Sequence, residues 1–116
     1  MAVLIVDGAN VVGSVPDGWW KDRRGAAERL RDRLASRAGD EEIILVVEGA
    51  ARGVESVPGV RVESAHGSGD DLIVRLAARY AGEGCVVVTA DRELRDRVRA
   101  VGARCAGPRT VRPAER

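Results

Sequence analysis

Apolar residues in this chain come in short unbroken runs, and most of the runs end on an acid. The stretch VLIVDGANVVG, residues 3–13, passes from pure hydrocarbon into Asp7 and then a glycine. EIILVVEG does the same at Glu48, and CVVVTAD at Asp91. A run that is continuous rather than alternating predicts a strand covered on both faces, as in a parallel sheet. The pattern places strands at residues 2–6, at 43–47, near 60–63 after a Pro-Gly turn, and in the run that leads to Asp91. ARCAG adds a short edge strand. The first strand is expected to end at Gly8, with GSVPDGWWKD as a loop.

Between the strands the period changes to that of helices. RRGAAERLRDRLASRAG sets Ala26, Ala27, Leu30 and Leu34 on one stripe and is stopped by Gly39. GSGDDLIVRLAARYAGEG turns Leu72, Ile73, Leu76, Ala77 and Tyr80 inward. DRELRDRVRAVG carries Leu94, Val98 and Val101 on its apolar face. Alternation of strand and helix predicts a single-domain α/β fold, a mostly parallel open sheet flanked by helices. The domain is expected over residues 1–108, with a basic C-terminal tail at 109–116.

This topology gives the terminal acids a shared address. Asp7, Glu48 and Asp91 each follow a buried strand, and in a parallel sheet those positions line the carboxyl edge, where open α/β folds bind ligands. Asp70 and Asp71 open a helix that starts at the same edge. Several ionised carboxylates in one place repel one another, so either some hold protons or a cation sits among them. Oxygen-only ligands suit Mg²⁺ or Mn²⁺. Such ions can clamp a phosphodiester, lower the pKa of an attacking water and stabilise the leaving oxygen.

Each acid also has an ordinary structural use. Asp70 and Asp91 can cap helix N-termini, Ser68 with Asp71 resembles a capping box, and Asp7-Gly8 can be a plain turn. It is the conjunction after three separate core strands that favours a site. Asn10 either orients Asp7 or serves as a turn residue. Ser68 and Thr89 are candidate donors to a phosphate. Trp19 and Trp20 stand side by side in a polar loop, one to stack on a nucleobase or one to plug the core. His66 is a further candidate contact just before the acidic helix.

Composition narrows the picture only slightly. The 116 residues carry a net charge of +1, so no global field attracts nucleic acid. Of the 19 basic residues, 18 are arginine, whose planar fork suits phosphate, although base composition of the gene explains the bias equally well. Arg23, Arg24, Arg92 and Arg95 are the candidates near the carboxyl edge. Cys85 and Cys105 read as small buried hydrophobes rather than a disulfide or zinc site. No run approaches the ~20 apolar residues that cross a bilayer, and the N-terminus lacks signal-peptide features, so no membrane association and a cytoplasmic location are expected.

Taken in order, LIVDGANVV, VVEG, GSGDDLIV and VVVTADRELRDRV resemble the NYN domain of the YacP-like group, within the PIN-like nuclease superfamily. The resemblance runs over roughly residues 2–108. It implies a PIN-like fold and a metal-dependent ribonuclease that cuts RNA by water attack at acids holding Mg²⁺ or Mn²⁺. Asp7, Asp70 and Asp91 match the family's main acidic positions, Glu48 a further ligand or supporting acid, and Asn10 the asparagine of the first motif. The reading is an endoribonuclease acting on single-stranded RNA. It is expected to take its substrate from a delivering protein or ribonucleoprotein. Its rivals are a catalytically silent RNA-binding module and a hydrolase of nucleotides or other small phosphates.

Overall fold

The computed structural model describes residues 2–37 and 39–112. The strands are β1 (Val3–Asp7), β2 (Glu42–Val47), β3 (Val60–Ser64), β4 (Cys85–Val88) and β5 (Arg104–Ala106). The helices are α1 (Gly8–Gly13), α2 (Arg23–Ser36), α3 (Gly69–Tyr80) and α4 (Arg92–Ala100). One sheet holds all five strands in the order β3-β2-β1-β4-β5, and every neighbouring pair is parallel. The single-domain α/β reading is borne out.

The unbroken apolar runs follow from burial on both faces. Leu4 and Val6 of β1, with Ile43, Leu45 and Val47 of β2, pack against α1 and α2. Val3 and Ile5, with Ile44, Val46 and Val87, pack against Ile73, Leu76 and Ala77 of α3 and Leu94 and Val98 of α4. Leu72, Tyr80 and Val101 were expected inward and lie half-buried at the margin of this second cluster. α2 ends at Ser36, ahead of the glycine expected to stop it. Cys85 is buried, Cys105 half-buried, and both are free thiols. No helix among the described residues is long and apolar enough to cross a membrane.

Two segments differ from the sequence reading. GANVVG, expected as a turn, forms α1, with Asp7 as its N-cap. Six residues with glycine at both ends and two adjacent valines have poor helix propensity. Packing of Val11 and Val12 into the core holds them. At the other end, part of the expected tail is docked. Val111 is buried at 2% exposure, and the Arg112 guanidinium donates to the Val12 carbonyl at 3.2 Å and pairs with Asp17. Residues 113–116 of that tail lie outside the described residues.

Strand order turns at β1, since the chain leaves it for β2 on one side and reaches β4 on the other. That is the switch point of an open sheet, and the crevice lies beyond the carboxyl ends of β1 and β4. Gly8 makes the turn there possible. A Cβ at this position would stand 2.5 Å from the Val46 carbonyl oxygen, a backbone atom that cannot swing aside. Gly8→Ala is therefore expected to lower stability by about 1–3 kcal/mol, the usual range for overpacking. Gly82→Ala, where no atom lies within 4 Å, should stay within ~0.5 kcal/mol of the parent. Urea midpoints at unchanged slope would measure both.

Candidate active site

The last residue of β1 is Asp7, and its carboxylate is 4% exposed. Two donors hold it. The Asn10 backbone N–H donates to Oδ1 at 3.3 Å, closing the first turn of α1. The Thr89 hydroxyl, just past β4, donates to Oδ2 at 2.9 Å. Burial nevertheless dominates, and it pushes the Asp7 carboxyl up to about 6 from 3.8 despite these bonds, with Asp70 and Glu48 adding repulsion. Asp7 thus caps a helix instead of making a plain turn, and it is a buried acid held against its own solvation.

Thr89 is fully buried and every polar group it has is engaged. Its hydroxyl also accepts from the Asp91 N–H at 3.1 Å. Its N–H donates to the Ala106 carbonyl at 2.9 Å, and its carbonyl accepts from Arg95 Nε at 2.8 Å. Asn10 completes the frame, its side-chain oxygen accepting from the Ala90 N–H at 2.8 Å. Asp91 caps α4 by accepting from the Leu94 N–H at 3.1 Å. A single hydroxyl therefore links the acid of β1 to the backbone that presents the acid of α4.

Glu48 and Asp70 close the other side. Glu48 follows β2, half-buried, and lies over the first residue of α3: a Cβ on Gly69 would meet its Oε1 at 2.7 Å. Burial raises the Asp70 carboxyl, with Asp91 and Glu48 reinforcing the rise and Arg97 opposing it. Asp70 is not the cap of α3. Ser68 is, accepting from the Asp70 N–H at 3.1 Å. The capping box expected between Ser68 and Asp71 is absent, because Asp71 turns outward to pair with Arg97 at 2.9 Å. Sequence reasoning missed Gly8 and Gly69, whose only signal is a glycine beside a candidate acid, and it missed Arg97, for which no local signal exists.

The candidate arginines divide into two kinds. Arg24 donates to the Arg52 and Gly53 carbonyls at 3.0 and 3.1 Å, and Arg95 to Thr89, so both are cross-ties within the fold. Arg23 and Arg92 are exposed, and Arg23 lies 5.3 Å from the centroid of Trp19. Trp19 is half-buried against the α1–α2 core, while Trp20 stands 52% exposed and meets it edge-on at 5.9 Å. His66 is exposed in the loop before α3.

Asp7, Glu48, Asp70 and Asp91 thus share one edge of the sheet and influence one another electrostatically. Among the described residues, no three His, Cys, Asp or Glu side chains converge on one point in the way that grips a bare ion. The donor set is carboxylate oxygen throughout. It suits an ion such as Mg²⁺ that keeps several waters and takes one or two carboxylates directly.

Asp7 carries a stability signature. Its folded-state value lies above the unfolded one, so the folded chain holds the extra proton between pH 3.8 and about 6, and stability falls as pH rises through that window. At about 1.4 kcal/mol per pKa unit the rise amounts to about 3 kcal/mol above pH 6. Asp7→Asn should therefore raise stability by about 1–2 kcal/mol at pH 8 in chelator, less than the full amount because one of two accepting oxygens is lost. At pH 4 the gain should vanish. Thermal melts at the two pH values check it.

No protein-family model and no curated protein matches the chain in sequence. Among solved structures, the crystal structure of a mutant of Rae1 (YacP) from Bacillus subtilis superposes with a TM-score of 0.75 at 22% sequence identity, covering 96% of this chain and 72% of that one. The chain has the fold of the YacP protein.

Proposed function

We propose that this chain is a divalent-metal-dependent endoribonuclease that hydrolyses phosphodiester bonds of single-stranded RNA at the carboxyl edge of its sheet. The observation that supports this most is Asp7, a carboxylate 4% exposed and raised to about 6, with Asp70 and Glu48 adding to its repulsion and no arginine or lysine bonded to it among the described residues. A plain helix cap needs none of that burial. An acid kept in this state becomes favourable when a cation arrives, which is what a metal ligand requires.

Asp7, Asp70 and Asp91 are the residues that would hold Mg²⁺ or Mn²⁺, with Glu48 beside them. Such an ion, when bound, supplies a water of lowered pKa and positive charge against the phosphate. The chain's own residues do the positioning. Thr89 fixes the direction of the Asp7 carboxylate, and Asn10 locks α1 to the loop that carries Asp91. Arg92, at the start of α4, and Arg23 carry no backbone bond from their side chains among the described residues and fit the flanking phosphates as fork-shaped donors. The fold shared with the YacP protein and the ordered motifs of the YacP-like group support the same reading.

A second reading has one observation in its favour. No three acids converge among the described residues, as expected of an RNA-binding module that does not cut. Labelled single-stranded RNA separates the two. With Mn²⁺ or Mg²⁺ the parent chain should cleave it, EDTA should stop cleavage, and Asp7→Asn and Asp91→Asn should each lower the rate by about 10²-fold or more. Asparagine at 91 still caps α4, so misfolding would not explain the loss. Retention of RNA that survives both substitutions, with no cutting by any variant, would establish the silent module.

A further inference from the structure

Beside the acids lies a cavity of about 310 Å³ that capping and core packing leave unfilled. Its walls include Gly8 and Val12 of α1, Trp19, Arg23 at the start of α2, Glu48 after β2, and Ala51. Two of these residues also belong to the acidic edge: Gly8 directly follows Asp7, and Glu48 faces Gly69 and α3. The cavity therefore meets the acidic edge at Glu48 and at Gly8.

We infer that this cavity receives a single unpaired nucleobase of the RNA chain, next to the phosphate at the acids, a refinement that rests on the nuclease reading. Its volume is at the small end of pockets that enclose organic ligands, about 300–1,000 Å³, and admits one nucleoside but not a base pair. The lining is apolar apart from Glu48 and Arg23, and Trp19 supplies an aromatic wall whose indole lies against Gly13 at the end of α1. Unpaired bases are held by stacking on aromatic rings and guanidinium planes, and both stand together here, with Arg23 5.3 Å from the Trp19 centroid. Arg23 is exposed beside the ring, so its N–H groups are free to reach the sugar–phosphate chain of a base held against Trp19. Glu48 is the one carboxylate among the lining residues, an acceptor for base N–H donors. Selection of single strands then follows from the cavity, because a base within a duplex cannot enter it.

The test is binding in EDTA, so that neither metal nor cleavage enters. Trp20 is exposed and replaceable, and Trp20→Phe leaves Trp19 as the one indole of the chain. Short single-stranded RNA should quench Trp19 emission saturably, and an abasic oligomer of equal length should bind about 10-fold more weakly, as the loss of one stacked base implies. Ala51→Phe, which sets a ring into the cavity from one of its lining residues, should weaken RNA binding by about the same factor. Equal binding of the RNA and abasic oligomers by the parent would overturn the inference whether or not Ala51→Phe folds. Metal-dependent cleavage alongside that equality would leave the nuclease reading standing and remove only the pocket. Base-dependent quenching without any cleavage would do the reverse.

Discussion

The bond from the Thr89 hydroxyl to Asp7 Oδ2 joins the ends of β1 and β4 where the strand order turns, and the edge of the molecule is organised around it. One oxygen atom acts in both directions. It gives its proton to a buried carboxylate and takes the N–H of Asp91, so the acid of the central strand and the first residue of the α4 cap are set by the same group. Arg95 holds the Thr89 carbonyl from behind, and Asn10 ties the next amide to α1. With so many bonds converging on residues 89–91, the loop has little freedom to relax. The site is built on the rigid ends of strands.

That rigidity carries an energetic burden. A carboxylate under the surface, with other acids near it, destabilises the fold at neutral pH, and among the described residues the two hydrogen bonds to Asp7 offset part of the loss. The remaining stability comes from elsewhere: two apolar clusters on the faces of the sheet, and arginines used as long-range ties. Arg24 and Arg31 reach the carbonyls of Arg52, Gly53 and Glu55, which pins the β2–β3 connection, and Arg112 ties the segment after β5 to Val12. Some of the arginine excess is thus structural. A guanidinium fork satisfies two carbonyls at once, which a lysine cannot do in the same geometry.

Strands and long helices were legible in the sequence because two-sided burial leaves continuous apolar runs and one-sided burial leaves a stripe. The carboxyl-edge acids were legible for the same reason: topology alone brings strand ends together. α1 was not, since its helix state depends on packing of Val11 and Val12 rather than on propensity. Nor were the roles of Thr89, Arg95 and Asp71, which depend on partners distant in sequence or across a turn of chain. Thr89 and Arg95 looked like phosphate donors, and the fold engages the Thr89 hydroxyl and the Arg95 Nε internally. Trp19 and Trp20 shared one description in the sequence and separate in space, one packed against the core and one exposed.

Asp7 is a buried acid with its charge opposed, and the proposed function makes it a ligand held for a cation. Its own titration tests that most directly, followed by carboxyl carbon NMR in chelator and again with saturating Mg²⁺. A midpoint near 6 is expected without the ion, with a clear downward move when Mg²⁺ is added. A midpoint at or below the ordinary 3.8, unmoved by the ion, would make Asp7 a helix cap and nothing more.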